Sequence, residues 1–412
     1  MNALHPNPFR PGFAEPPLLL AGRDEVLEAG DEAIATAAVD HYTPQPLLLI
    51  GPRGVGKTVV LSEIARRAAA EQGWPRLRIE VTHSYSLEPM LVQRAQALRD
   101  LLKQAPPGRR FEVSEAVVRA QVVGIGGEVR LGRRAADSPS MARVCAELAE
   151  AAAARGTGFV LTIDEMQAAP RAEMAQFAAM LQWGTEEHWP MVVVGAGLPT
   201  LRESTSDTEP SLGYLERAGW HELGLLEEVD TVAALQGPAE QGGRPMDEDA
   251  ARLLARESGG YPYAIQLYGK HAWRASVGQD RVHLDAAEQA VAPAGRELDR
   301  GLYSARWAQA SGREREYLVA LAELAKAGGE VTGRSIADKL RSTPKKLSMI
   351  RARLLTKGTL VTQGEILDFA IPGMADYVRR QPAPGTAGRT GPSAPRLRPS
   401  DRSDFGSHRY KT

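Results

Sequence analysis

One stretch of eight residues carries chemistry that is specific in both residue type and spacing. Gly51-Pro52-Arg53-Gly54-Val55-Gly56-Lys57-Thr58 satisfies the pattern G-x-x-x-x-G-K-[ST] in full. Its glycines let the backbone curl around an anion, so that consecutive N–H groups and the N-terminus of a following helix point at phosphates. Lys57 would then reach the β- and γ-phosphates, and the Thr58 hydroxyl would ligate Mg²⁺. The expected ligands are ATP and Mg²⁺, with Gly51, Pro52, Arg53, Gly54, Val55, Gly56, Lys57 and Thr58 as nucleotide-binding residues. The flanks supply the setting that such a loop requires. The run Leu47-Leu48-Leu49-Ile50 reads as a buried strand leading in, and residues 59–70 read as a helix leading out.

A phosphate loop needs a second strand that brings a carboxylate to the metal. Phe159-Val160-Leu161-Thr162-Ile163-Asp164-Glu165 is an apolar run ending in two acids, about a hundred residues beyond the loop. Asp164 at the strand end is expected beside Thr58, holding Mg²⁺ through water. Glu165, one residue on, is expected to polarise the attacking water.

Other chemistries find little footing. The eight histidines show no H-E-x-x-H or comparable ligand spacing, which argues against a transition-metal site. The single cysteine, Cys145, cannot close an intrachain disulfide and reads as a small buried hydrophobe in a reducing compartment. Aromatic residues are 6% of the chain and scattered, which argues against a base-stacking platform. No run approaches the roughly 18 apolar residues of a membrane span. The first 17 residues carry prolines where a signal peptide needs an apolar stretch. A cytoplasmic protein with no membrane partner is the expectation.

The elements that must position the phosphate site follow from length and pattern. A chain of 412 residues corresponds to roughly two to four domains. Short apolar strands at 47–50, 77–81, 159–163 and 191–194 alternate with longer helical stretches, the order of an α/β fold around a largely parallel sheet. From about residue 227 the strands stop and helices carry the chain to a hairpin near 360–369. Residues 111–134 read as a hairpin-like insert.

A net charge of −1 hides an asymmetry along the chain. Residues 313–380 hold 13 basic and 8 acidic side chains, and residues 381–412 hold 6 and 2, so an acidic body carries a basic C-terminal quarter. Within 313–380 the pattern is three helices, at 313–325, 333–340 and 344–357, and a hairpin around Gln363-Gly364, which reads as a winged helix. On the third helix Leu347, Ile350 and Leu354 share one stripe by 3.6-residue spacing, and Lys345, Met349 and Arg353 share the opposite one. Eight basic residues and one acidic residue lie between Arg334 and Lys357, which suits a recognition helix on duplex DNA through Lys345, Lys346 and Arg353. The alternative is a winged helix that docks a protein.

From Ala21 to Lys270 the chain resembles bacterial AAA+ superfamily ATPases of the origin-recognition-like kind, a type shared with STAND signalling NTPases. Ala21-Gly22-Arg23-Asp24-Glu25-Val26-Leu27 is similar to the family's entry motif, whose backbone sits by the adenine. Met191-Val192-Val193-Val194-Gly195-Ala196-Gly197-Leu198-Pro199 resembles the sensor-1 strand and its turn. Ser258-Gly259-Gly260-Tyr261-Pro262 resembles the Gly-x-Pro sensor-2 segment of a helical lid, which implies that Pro262 contacts nucleotide. Arg217 falls where the family's trans-acting arginine finger would lie; a surface ion pair with Glu216 or Glu222 is the other reading. Two departures, Gly195 for the usual polar residue and a sensor-2 segment without arginine, imply slow turnover with ATP as a switch ligand.

Together these readings describe an α/β P-loop NTPase, an AAA+-like parallel-sheet domain followed by a helical lid and a winged helix-turn-helix domain. The divisions are an N-terminal arm at 1–17, the ATPase domain at 18–226, the lid at 227–285, a linker helix at 286–312, the winged helix at 313–380, and a disordered basic tail at 381–412. Expected partners are ATP, duplex DNA, and either further copies of the chain in a nucleotide-dependent assembly or a partner protein.

Overall fold

The computed structural model describes residues 6–12, 16–82, 84–104, 140–205 and 212–382. The insert read at 111–134 lies outside these residues, as does all of the tail beyond residue 382.

Five strands, β1 Leu47–Ile50, β2 Arg76–Glu80, β3 Phe159–Asp164, β4 Met191–Gly197 and β5 Gly219–Glu222, form one parallel sheet in the order β2-β3-β4-β1-β5. Among the described residues six helices accompany them: α1 Asp24–Val39, α2 Lys57–Gln72, α3 Leu87–Gln104, α4 Met141–Ala153, α5 Arg171–Glu186 and the short α6 Thr200–Thr205. A further turn of helix, α7 Gly213–Glu216, precedes β5. Period-2 alternation sends Leu47, Leu49, Val160, Val192 and Val194 to the layer of α1 and α2. Leu48, Ile50, Leu161, Ile163 and Val193 go to the layer of α3, α4 and α5. Burial on both faces is why β1 is an uninterrupted aliphatic run and why β3 and β4 are largely apolar. The pattern that revealed four strands missed β5. Gly-Trp-His-Glu is no apolar run, and as an edge strand it keeps solvent contact.

Strand order sets the working end. β1 stops beside β4, and β3 stops on the far side of β4, so the loop after β1 and the carboxylates after β3 open into one crevice at the carboxyl ends of the strands.

Beyond β5 follow α8 Glu228–Gln241, α9 Glu248–Ser258, α10 Pro262–Ala275 and α11 Leu284–Leu298. Ala286, Ala287, Ala290 and Ala294 of α11 are buried in the same core as Leu254 of α9 and Ile265 of α10. A boundary at 285 therefore cuts through a packed unit. The connection proper is the π-helical turn Asp299–Tyr303 and the short α12 Ser304–Gln309. The N-terminal segment is also bound to this unit. Phe9 is buried against Gly269, and the Asn7 side-chain amide donates to the Lys270 carbonyl at 3.1 Å.

The C-terminal unit consists of α13 Gly312–Lys326, α14 Gly333–Lys339, α15 Pro344–Thr356, the antiparallel hairpin β6 Leu360–Gln363 and β7 Ile366–Phe369, and α16 Met374–Arg379. Ser311 and Thr332 close capping boxes on α13 and α14, and the Thr343 hydroxyl caps α15, so each helix start is written locally. Tyr317, Leu321, Leu354, Leu360 and Phe369 share one continuous core with the preceding helices. Among the described residues no helix is long and apolar enough to cross a membrane.

Candidate phosphate and metal site

The loop between β1 and α2 is a cradle whose charged groups are paired with the protein itself. Gly56, the residue before α2, has φ 95°, a left-handed conformation that a side chain would strain. A Cβ built there meets nothing within 4 Å, so its far side is open. Lys57 opens the helix, is buried, and donates through Nζ to the carbonyls of Gly51 and Pro52, both at 2.7 Å. Burial pulls its ammonium down to about 8, with Glu165 and Asp164 opposing and Arg53 assisting.

The Thr58 hydroxyl donates to Asp164 Oδ2 at 2.6 Å. Two hard oxygen donors thus meet at the start of α2, and they suit Mg²⁺, which takes one or two protein oxygens and fills its octahedron with water and phosphate. Asp164 also accepts from the Glu165 backbone N–H at 2.9 Å, which fixes its second oxygen.

Glu165 has φ 55° and ψ 38°, an unusual left-handed conformation for a residue with a side chain. Its carboxylate turns back over the loop. Arg53 meets it with both terminal nitrogens, at 3.0 and 3.1 Å. Gln167 donates to the same carboxylate at 2.6 Å.

Pro262 is the first residue of α10. The residue before it, Tyr261, reaches down so that its hydroxyl donates to the Arg53 carbonyl at 3.2 Å. Only a glycine fits beneath: a Cβ on Gly54 would lie 1.8 Å from the Tyr261 oxygen. Arg23 bridges the same region, donating to the Val55 carbonyl at 3.1 Å and the Gly224 carbonyl at 2.7 Å. Burial holds its guanidinium below the usual range.

The C-terminal unit reaches this loop as well. Gly358, just past α15, packs on the Arg53 stem, with an ideal Cβ 3.2 Å from Arg53 Cγ. Arg306 of α12 donates to the Lys357 carbonyl at 3.2 Å. Its guanidinium is lowered by burial and then by Arg53, with Tyr261 and Glu165 opposing.

Arg217 and the basic residues of α15 lie elsewhere. Arg217 is exposed between α7 and β5, at the end of β5 where Gly219 pairs with Leu47, while the phosphate loop leaves the opposite end of β1. It does not enter its own chain's loop. Lys345, Lys346 and Arg353 are exposed on α15, whose Leu347 and Ile350 are half-buried and Leu354 fully buried. Sequence reasoning missed Tyr261, Arg306 and Gln167. Gln167 had a local signal, standing two residues beyond the acidic pair. Arg306 had none, because only packing of distant helices brings it near.

Comparison with known proteins bears on the fold. Residues 19–194 match the AAA ATPase domain family. The fold is that of a P-loop AAA+ ATPase. The Walker-type ATPase PABY2304 of Pyrococcus abyssi is similar to this chain at a TM-score of 0.57 and 18% identity, over 91% of this chain and 99% of that one. The ORC2 protein of Aeropyrum pernix, solved as ADPNP–ADP complexes, is similar at 0.55 and 16%, over 90% and 95%. The ATP-dependent protease ATPase subunit HslU of Caulobacter vibrioides is 40% identical over 92 residues, 22% of this chain and 20% of that protein. The match to this curated relative thus spans about a fifth of its length. Beyond the AAA ATPase domain, residues 300–378 match a domain of unknown function (DUF8462), which begins inside the connecting turn.

The lowered Lys57 ammonium gives the loop a pH signature. Phosphate binding needs the charged form, so ATP affinity should hold below the value of about 8 and fall by up to roughly tenfold per pH unit above it. Calorimetry across pH 7 to 10 reads this directly. Lys57→Ala should bind weakly at every pH, and a flat wild-type profile would remove Lys57 from the phosphate contact.

Proposed function

We propose that the chain is an ATP-binding, Mg²⁺-dependent switch that hydrolyses ATP slowly, and that its nucleotide state controls assembly or duplex-DNA engagement through a C-terminal winged helix. The observation that carries this reading is Arg53. Its guanidinium occupies both oxygens of Glu165, the base candidate, while Gly358 at the end of α15 rests on its stem. A carboxylate with both oxygens so engaged is poorly placed to accept a proton from water. Slow turnover and coupling to the C-terminal unit then share one cause.

In this reading the loop N–H groups and Lys57 hold the phosphates, Thr58 and Asp164 hold Mg²⁺, and Pro262 borders the nucleotide. When bound there, the metal would supply positive charge that offsets the charge developing on the phosphates. Once Arg53 moves off, Glu165 takes a proton from the attacking water. Arg217, exposed and remote from its own loop, is suited to act on a neighbouring copy. The basic outer face of α15 contacts DNA phosphates. Met349, 63% exposed among those basic side chains, favours a second reading in which this face docks a protein and no DNA is bound.

Three measurements test these assignments. Arg53→Ala should raise turnover by roughly three- to tenfold, about the net worth of one ordinary hydrogen bond, since the pair is partly exposed. A fall in turnover at saturating ATP would show that Arg53 serves the reaction instead of restraining it. Glu165→Gln should bind ATP with only a slow residual hydrolysis and Arg217→Ala should bind with reduced hydrolysis, so mixing the two should restore activity at shared interfaces. No recovery on mixing, with Arg217→Ala as active as wild type, would leave Arg217 a surface residue. For the C-terminal unit, duplex affinity should fall steeply with salt, and alanine at Lys345, Lys346 and Arg353 should flatten the logarithmic slope by roughly one for each phosphate no longer neutralised. Absence of salt-dependent duplex binding would favour the protein-docking reading.

A further inference from the structure

We infer that Gln167 is a positioning residue for Glu165, supplying from the turn after β3 the polar contact that the end of β4 has no room to make. The inference rests on the proposed role of Glu165 as the hydrolytic base.

The end of β4 is closed to side chains. A Cβ on Gly195 would lie 2.2 Å from the Met166 sulfur and 2.7 Å from Leu48 Cδ2. At Gly197 it would lie 2.8 Å from Leu201 Cδ2 and 3.0 Å from Gln167 Oε1. Met166 and Gln167, consecutive residues of the 3-10 turn Met166–Ala168, fill the space that strand side chains would need. Gln167 then joins the two strand ends. Its Oε1 accepts from the Leu198 backbone N–H at 2.9 Å, and its Nε2 donates to Glu165 Oε2 at 2.6 Å.

The orientation of the amide follows from its partners. A backbone N–H can only donate, so the oxygen must face Leu198 and the NH₂ must face the carboxylate. Gln167 and Arg53 therefore hold Glu165 in different ways. Arg53 is a cation, and its pairing occupies both carboxylate oxygens. Gln167 is neutral, so it directs the carboxylate without neutralising it. The left-handed backbone of Glu165 is the kind of conformation that persists only where the surroundings hold it. The Leu198–Gln167–Glu165 chain is one such restraint.

Substitution at 167 in the full chain separates positioning from packing. Gln167→Glu is isosteric and still accepts from Leu198, but it turns a carboxylate oxygen toward Glu165 and has no donor there. Turnover should fall roughly ten- to hundredfold, as expected for a misplaced catalytic group, with ATP affinity unchanged. Gln167→His, whose ring can accept at one nitrogen and donate at the other, should recover part of the loss. In single-turnover measurements the double variant Gln167→Ala with Glu165→Gln should be no slower than Glu165→Gln alone, because a residue acting through Glu165 has nothing left to position. Wild-type turnover in Gln167→Glu, or further slowing of Glu165→Gln by Gln167→Ala, would overturn the positioning role. Wild-type turnover in Glu165→Gln, or no turnover in the wild-type protein, would instead overturn the base assignment on which it rests.

Discussion

The four aliphatic side chains of β1, Leu47 to Ile50, are all buried, two against each face of the sheet. A strand sheathed in hydrocarbon on both sides, with β4 and β5 hydrogen-bonded along its edges, leaves its polar chemistry to the end where it stops. The phosphate loop begins at that end. Because β4 separates β1 from β3, the Asp164 carboxylate arrives one strand-width further across, within 2.6 Å of the Thr58 hydroxyl. Removing burial from either face would disturb the strand register and, through it, the spacing on which the site depends.

The groups proposed to meet nucleotide, metal or water are engaged within the protein. Lys57 rests on carbonyls of its own loop, Thr58 on Asp164, and Arg53 on Glu165. Binding at such a site is an exchange of partners, so its net free energy is the difference between two sets of charge-assisted contacts. Arg53 joins this exchange to the rest of the molecule. Its carbonyl accepts from Tyr261 at the start of α10, and its stem lies under Gly358 beyond α15. The helices after the sheet and the C-terminal unit share one core, so a displacement of either would be felt at the loop.

Much of this was legible in the chain before any coordinates. The loop and its flanks, the strand ending in Asp164 and Glu165, and the two stripes of α15 were read from spacing alone. All are short-range patterns, in which residue type and periodicity decide the conformation. β5 escaped because an edge strand of Gly, Trp, His and Glu carries no apolar run. The boundary at 285 misplaced α11 because an alanine-rich helix looks the same whether it links two units or packs within one.

The sequence by itself determined the residues on offer: a candidate phosphate cradle, a candidate metal-ligating pair, a base candidate and a basic helix face. These are written in consecutive residues or in one helical period, so local physics is enough to read them. Tertiary structure alone decided which groups restrain which. The Arg53–Glu165 pair spans 112 positions and the Tyr261 contact to the loop spans 208. Gln167 reaches Leu198 only because β3 and β4 are neighbours in the sheet. Such contacts depend on how buried faces bring distant segments together, and no local spacing encodes that.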